Sequence, residues 1–187
     1  MVDHGGVYRM RFGWRTLLGQ RRLNLAGFVA CASMMAFALY SQHVMGLNPC
    51  PLCVFQRFAV IGIGLVFLAA AIHDPARPGK RIYAALVVVI AAGGIAVASR
   101  HLWLQSLPPD QVPSCGPGLD YILDAFPLTQ AMSMIFAGSG ECAVVDWTLF
   151  GLSMPAWVLI ALLFLGAAGT FNNLRPDTRQ AERSGKY

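Results

Sequence analysis

The residues best suited to chemistry are a Cys-x-x-Cys pair, Cys50 and Cys53, which lies between two long apolar segments. Pro51 predicts that a helix begins beside the pair, because its missing N–H would have no partner in a first turn anyway. Cys53 would then lie near unpaired N–H groups and the positive end of the helix dipole. Arg57 follows Cys53 by four residues and is expected on the same helical face. Such surroundings favour the reactive thiolate, so the pattern indicates a redox site.

Other residues that could take part lie later in the chain. Cys115 and Cys142 stand in Gly- and Pro-rich surroundings, which would be flexible enough for a cysteine to change partners. His101 and Gln105 follow the third apolar segment, and an imidazole can exchange protons near neutral pH. Cys31 lies within the first apolar segment and is expected to be a small buried hydrophobe without a redox role.

Three kinds of site could explain why the predicted loops and helix ends contain four cysteines, Cys50, Cys53, Cys115 and Cys142. Two structural disulfides would suit an oxidising compartment, but a bridge between residues three apart closes a tiny loop and contributes little chain entropy. A Cys₄ zinc site would be tetrahedral, but it fits poorly, because Cys115 and Cys142 are separated by 26 residues instead of forming a second close pair. No resident metal is therefore expected. The remaining explanation, thiol–disulfide exchange between the two pairs, accounts best for the spacing.

The elements that must position these residues are membrane helices. The chain of 187 residues is 56% hydrophobic and 12% charged, about half the charge of an ordinary soluble domain. Apolar runs of about 20 residues are long enough to cross a bilayer. Such spans are predicted near 25–44, 54–73, 82–99 and 152–171. The fold class predicted is all-α and integral to the membrane: one domain, 1–187, forming a four-helix transmembrane bundle.

The charge pattern predicts the orientation of these spans. Twelve of the 14 Lys and Arg residues lie in 1–24, 74–81 and 172–187, whereas the loops 45–53 and 101–151 contain none. The positive-inside rule places the basic segments and both termini in the cytoplasm and both cysteine-bearing loops outside. Topology thus explains the net charge of +5, and no nucleic-acid partner is expected.

The long outer loop shows helical patterning that predicts one or two short interfacial helices. Its apolar stripes consist of Leu119, Ile122, Leu123 and Phe126, then Leu128, Met132, Ile135 and Phe136. A disulfide cycle beside them would need an oxidant, and the chain has no flavin or nucleotide motif. Because Cys53 is predicted at the membrane surface, the acceptor should be soluble in lipid, as a quinone is. The guanidinium of Arg57 could stabilise negative charge on a quinone oxygen.

These motifs together resemble one known family. The shared features are Cys50 to Cys53 followed by Gln56-Arg57, Arg100-His101 with Gln105, and the segment from Cys142 through Trp147 to Pro155. In this combination, over about residues 27–166, the chain resembles the DsbB family of bacterial disulfide bond formation proteins. The DsbA–DsbB–quinone chain keeps the bacterial periplasm oxidising.

The resemblance implies an inner-membrane thiol:quinone oxidoreductase with a relay of disulfides. A reduced DsbA-like thioredoxin-fold protein would attack a Cys115–Cys142 disulfide through Cys115, and Cys142 would then attack Cys50 and free Cys53. The reoxidation of Cys50–Cys53 would reduce ubiquinone or menaquinone. The resemblance also implies that Arg57, and less directly His101 and Gln105, serve the quinone.

Other interpretations remain open at this point. A vitamin K epoxide reductase-like protein also couples thiols to quinones, but its loop cysteines precede the membrane pair, the reverse of the order here. A non-enzymatic membrane scaffold would have stable disulfides and would not respond to quinone. A DsbB paralogue dedicated to one substrate would fit as well. A monomer surrounded by membrane lipid is the simplest expectation for the assembly.

Overall fold

The structure, a computed structural model, describes residues 19–75, 77–108, 110–112, 121, 124–138 and 140–175. Its helices are α1 (Gln20–His43), α2 (Pro51–His73), α3 (Arg77–Gln105), α4 (Leu128–Ala137), α5 (Gly140–Ala143) and α6 (Met154–Leu174). Two short strands, β1 (Thr148–Leu149) and β2 (Leu152–Ser153), lie between α5 and α6.

Four of these helices, α1, α2, α3 and α6, are long and apolar enough to cross a membrane. Many of their large apolar side chains face outwards, such as Phe58, Phe164 and Phe171, each more than 60% exposed. Contiguous exposed apolar surface on this scale is typical of contact with lipid. The predicted four-helix membrane fold is thereby confirmed.

The observed helix bounds differ from the predicted spans in informative ways. The third helix continues past residue 99 to Gln105, so His101 belongs to α3 and not to a loop. The last helix begins at Met154 and not at residue 152, because Leu152 and Ser153 pair with β1 in an antiparallel hairpin that was not predicted. Pro155 lies in the first turn of α6, as expected.

The helices pack in sequence order, α1 on α2, α2 on α3 and α3 on α6, with α1 closing the bundle against α6 less extensively. The ring of Phe67 occupies the centre of the core beside Val87 and Leu165. Gly27 and Gly169 face this ring, and a Cβ added at either would lie 2.6–2.7 Å from a ring carbon. Small residues thus allow these helices to approach closely, as is typical of membrane bundles.

A polar network joins α1, α3 and α6 at the end of the bundle opposite Cys50. Asn172 donates to Asn24 Oδ1 at 2.9 Å, and Asn173 donates to the Gly169 carbonyl at 2.9 Å. Gln20 donates to the carbonyl of Asn172 at 3.0 Å and accepts a hydrogen bond from Lys80. Because buried polar groups need partners, this network specifies how α1 and α6 meet at that end.

The segment between α3 and α6 is fastened to the bundle at two points. Arg100 of α3 donates to the carbonyls of Phe136 and Ala137, at 3.3 and 3.1 Å, and so holds the end of α4. Trp157 of α6 donates its indole N–H to the Leu149 carbonyl at 3.1 Å and so holds the hairpin. A helix is therefore present after Pro127, as predicted, and its interfacial position stays a prediction. The helical stripe predicted at 119–126 lies largely outside the described residues.

Candidate redox site

The Cys-x-x-Cys pair stands at the start of α2, as its sequence predicts. Cys50 is the N-cap residue, with an extended backbone at φ −66° and ψ 163°, and Pro51 begins the helix. Cys50 is buried and Cys53 is half-buried. Their sulfur atoms are 3.4 Å apart, too far for the bond of about 2.05 Å in a disulfide. The pair is therefore held as two neighbouring thiols at the helix terminus.

His101 of α3 lies against both thiols. Its Nε2 is 3.8 Å from Cys50 Sγ, and its Nδ1 is 3.9 Å from Cys53 Sγ. The ring is only 2% exposed. The Gln56 amide nitrogen is 3.0 Å from Nδ1. When this amide donates, a neutral ring carries its proton on Nε2, which faces Cys50.

Cys142 reaches the same place from the segment between α4 and α6. It lies in the one-turn helix α5, which packs against α3, and its side chain is fully buried. The sulfurs of Cys50 and Cys142 and a ring nitrogen of His101 lie within 4.8 Å of one another. The sequence predicted a flexible setting for Cys142, but the structure places it in an apolar cluster. The other buried members of this cluster are Cys50, Leu52, Val97, Leu104 and Ile135.

A cavity adjoins the pair, and its lining includes residues of α1 and α6. Its volume is about 900 Å³, including the part open to the surroundings. Its apolar wall includes Met34, Met35 and Ala38 of α1, and Pro155 and Val158 of α6. Its polar lining includes Cys53, Gln56, Arg57, His101, Gln105 and Ser153. The cavity therefore combines an apolar wall with a polar end that contains the half-buried thiol.

Arg57 and Gln105 both line this cavity, but each also has a partner that the sequence did not indicate. The Arg57 guanidinium donates to Gln42 Oε1 at 2.5 Å and to the Ala38 carbonyl at 3.2 Å, so it links α2 to α1. Gln105 Oε1 accepts a hydrogen bond from the Ser153 hydroxyl at 2.8 Å. These contacts fix both side chains at the cavity.

The structure thus brings together six of the seven residues predicted for the site. Cys50, Cys53, Arg57, His101 and Gln105 line one cavity, and Cys142 adjoins it. Cys115 lies outside the described residues. Cys31 is buried in the core of the bundle, as expected, and belongs to a separate cluster.

Sequence reasoning missed Gln42 and Ser153 and did not recognise Gln56 as the partner of His101. Gln42 and Ser153 carry no local signal that sets them apart from other polar residues. A signal for Gln56 was available, because it is a polar residue inside an apolar helix, one turn after Cys53. Its 3% exposure now explains why it needs a buried partner.

Comparisons with known proteins identify the family of this chain. Residues 20–171 match the family model described as Disulfide bond formation protein DsbB. A Disulfide bond formation protein B of Methylococcus capsulatus is 54% identical over 152 residues, which cover 81% of this chain and 93% of that protein. Proteins of the same name from Nitrosococcus oceani and Hahella chejuensis are 53% and 51% identical. These alignments cover 80% and 82% of this chain, and 88% and 93% of those proteins.

The four membrane helices and the buried thiol site, together with these matches, define a membrane oxidoreductase that generates disulfides. Such an enzyme is a multi-pass protein of the inner membrane. The chain belongs to the DsbB family. Membership of this family favours an enzyme over a non-enzymatic membrane scaffold with stable disulfides. It also favours a DsbB-type enzyme over a vitamin K epoxide reductase-like protein.

Proposed function

We propose that this protein is a thiol:quinone oxidoreductase that reoxidises a DsbA-like thioredoxin-fold dithiol protein in the periplasm. Electrons pass in pairs from the partner's dithiol to a Cys115–Cys142 disulfide, then to a Cys50–Cys53 disulfide, and finally to a membrane quinone. The observation that carries this proposal is the position of Cys142 Sγ, within 4.8 Å of Cys50 Sγ at the membrane pair.

The thiol steps balance without any further reactant. The partner's thiolate attacks Cys115, and its second thiol then releases the oxidised partner, which leaves Cys115 and Cys142 reduced. The Cys142 thiolate attacks the Cys50 sulfur of the Cys50–Cys53 disulfide, so a Cys142–Cys50 bond forms and Cys53 leaves as a thiolate. Cys115 then attacks Cys142, which restores their disulfide and leaves Cys50 and Cys53 with two electrons. The burial of Cys142 beside Cys50 supports this order.

His101 supports the exchange at Cys50. Its Nε2 lies 3.8 Å from Cys50 Sγ, so a proton on this nitrogen can stabilise negative charge on that sulfur. The ring is buried and held by Gln56. A positioned acid–base group of this kind assists the proton transfers that accompany each bond exchange.

The lining of the cavity beside Cys53 supports a quinone as the acceptor. A bound quinone supplies a lipid-soluble acceptor for two electrons. The apolar wall from α1 and α6 suits its hydrocarbon part, and the N–H groups of Arg57 and Gln105 suit its carbonyl oxygens. Arg57 would stabilise negative charge at the acceptor, as positioned cations do in low-dielectric sites.

The test is quinone reduction by the purified full-length protein in detergent, supplied with a reduced thioredoxin-fold dithiol. Quinone absorbance is followed for wild type, Cys53→Ser, Cys142→Ser and Cys31→Ser. We expect turnover in wild type and Cys31→Ser and none in the other two. Removing the Arg57 cation in Arg57→Ala should raise KM for quinone by about tenfold or more, since a hydrogen bond to a charged group contributes about 1.5–3 kcal/mol.

Cys31→Ser is the matched control, because Cys31 is a buried cysteine of the same protein outside the site. If folded wild type leaves the quinone unchanged while its disulfides stay intact, the proposal is wrong. If Cys142→Ser reduces quinone as fast as wild type, the Cys115–Cys142 pair does not take part in electron transfer.

A further inference from the structure

Three parts of the chain supply metal-ligating groups to one buried point. Cys50 precedes α2, His101 lies on α3 and Cys142 lies on α5. Their exposed fractions are 7%, 2% and 0%. The two sulfurs and a ring nitrogen lie within 4.8 Å of one another. Among the described residues, no other three His, Cys, Asp or Glu side chains bring their ligand atoms this close together.

The spacing of these atoms is close to what zinc requires. Zn–S bonds of about 2.3 Å and Zn–N bonds of about 2.0 Å, at tetrahedral angles, place two sulfurs about 3.8 Å apart and a sulfur about 3.5 Å from a nitrogen. The distance from Cys50 Sγ to His101 Nε2 is 3.8 Å. No two of these ligand atoms are more than 4.8 Å apart. The side chains would therefore have to move by about 1 Å or less to bind an ion at these bond lengths.

The chemistry of the donors also suits zinc. Thiolate and imidazole ligands favour zinc and monovalent copper over magnesium, calcium and manganese. A metal-bound histidine usually donates its other N–H to a fixed acceptor. The Gln56 side chain lies 3.0 Å from His101 Nδ1, and a half-turn of its amide would present the carbonyl oxygen there. Binding would release two protons, one from each thiol, and would transfer no electrons.

We propose that the reduced protein binds one Zn²⁺ ion through Cys50, Cys142 and His101, and that the ion reversibly stops electron transfer. The inhibitory part rests on the proposed function, because the ion engages the two sulfurs between which the disulfide exchange would occur. Cys53 Sγ lies 3.4 Å from Cys50 Sγ, but it approaches the other ring nitrogen, Nδ1, at 3.9 Å. It is not among the donor atoms that all lie within 4.8 Å of one another, so it is not assigned as a ligand. Oxidation of Cys50 to a disulfide removes a ligand, so zinc binds only the reduced form.

The test measures zinc affinity of the full-length protein in detergent, after reduction with a phosphine that is then removed. Competition with a chromogenic chelator gives Kd for wild type, Cys142→Ser, His101→Ala, Cys53→Ser and Cys31→Ser. We expect one ion per wild-type chain, with similar affinity in Cys53→Ser and Cys31→Ser. Loss of a direct ligand in Cys142→Ser or His101→Ala should weaken binding by more than the roughly 10–100-fold lost with a second-shell partner.

Cys53→Ser and Cys142→Ser form a matched pair of variants. Their zinc affinities distinguish binding by Cys50, Cys142 and His101 from binding by the two cysteines of the Cys-x-x-Cys motif. If Cys53→Ser loses zinc while Cys142→Ser keeps it, the proposal is overturned. The zinc X-ray absorption spectrum of wild type gives a second measurement that does not depend on variants folding. It should show two sulfur neighbours at about 2.3 Å and a nitrogen neighbour at about 2.0 Å, and a shell without nitrogen would contradict the site.

Turnover is measured separately, on metal-free samples and after addition of zinc and then chelator. Zinc binding by the predicted ligands in a protein that never reduces quinone would refute the proposed function and leave the site standing. Turnover without zinc binding would refute the site alone. If zinc binds as predicted but turnover continues at full rate, the inhibitory role is wrong.

Discussion

At the scale of single residues, the chemistry of this site depends on which ring nitrogen of His101 carries a proton. The ring touches Cys50 through Nε2 and Cys53 through Nδ1, so the two tautomers assist different sulfurs. Gln56 Nε2 lies 3.0 Å from Nδ1, closer than either sulfur lies to its ring nitrogen. A second group that orients a histidine determines its tautomer and its acid–base role. Gln56 thus decides which of the two thiols the imidazole serves.

We expect Gln56→Leu to slow the reduction of quinone by the reduced protein about two- to tenfold, because it removes one buried hydrogen bond of about 0.5–1.5 kcal/mol. Gln56→Glu replaces the amide donor at Nδ1 with an acceptor, which draws the ring proton to Nδ1 and away from Cys50, so it should slow the reaction at least as much. Stopped-flow absorbance of quinone measures both rates.

The thermal midpoint of unfolding serves as the control for Gln56→Leu, since a general loss of fold would also lower the rate. A rate in Gln56→Leu equal to that of wild type, in a protein with an unchanged midpoint, would show that the contact does not orient the ring.

At the scale of elements, close packing between α3 and its neighbours distinguishes two adjacent glycines. A Cβ added at Gly94 would lie 2.8 Å from Ala59 Cβ on α2 and 2.9 Å from Leu162 Cδ1 on α6. A Cβ added at Gly93 would meet nothing within 4 Å. Both glycines lie in the middle of the same helix, so alanine would gain similar helix propensity at either position. The difference between them is therefore a measure of tertiary packing alone.

We expect Gly94→Ala to lower the free energy of unfolding by about 1–3 kcal/mol, as overpacking does in a close-packed interior. Gly93→Ala should leave stability unchanged or raise it by up to about 1 kcal/mol. Titration of the purified proteins with SDS, followed by circular dichroism, measures both values. Equal stability in the two variants would mean that α3 does not approach α2 and α6 as closely as described.

At the scale of the whole molecule, the bundle is closed at one end and open at the other. The polar network of Asn24, Asn172 and Asn173 joins α1 to α6 at the end far from the cysteines. At the cysteine end the same two helices both contribute lining residues to the cavity. The cavity beside Cys53 therefore lies at the end of the bundle that this network does not close. The orientation of these ends in the membrane stays a prediction from the charge pattern.

That orientation predicts which surface positions a membrane-impermeant thiol reagent can reach in intact cells. In a background with the native cysteines replaced by serine, Asp110→Cys should be labelled directly. Asp74→Cys should be labelled only after the cells are permeabilised. Both residues are exposed acids, so they form a matched pair. Labelling of Asp74→Cys in intact cells, with Asp110→Cys protected, would reverse the topology.

The sequence alone determined the four membrane helices, the helix start at Pro51 and the position of the Cys50–Cys53 pair at a helix terminus. These features follow from apolar runs, proline placement and a three-residue spacing, all of which act between near neighbours in the chain. The resemblance to DsbB likewise came from short motifs, and it pointed to the residues of the site before their contacts were known.

Only the tertiary structure decided how these residues meet. His101 contacts Cys50 across 51 positions and Gln56 across 45, and Arg57 is held by Gln42 of another helix. Such contacts depend on how each helix is rotated about its axis and how far it slides against its neighbours. Apolar runs carry little of that information, because nearly every face of a membrane helix is hydrophobic. Side-chain packing and the partners required by buried polar groups fix the rotation, and they place Cys142, His101 and Cys50 at one point.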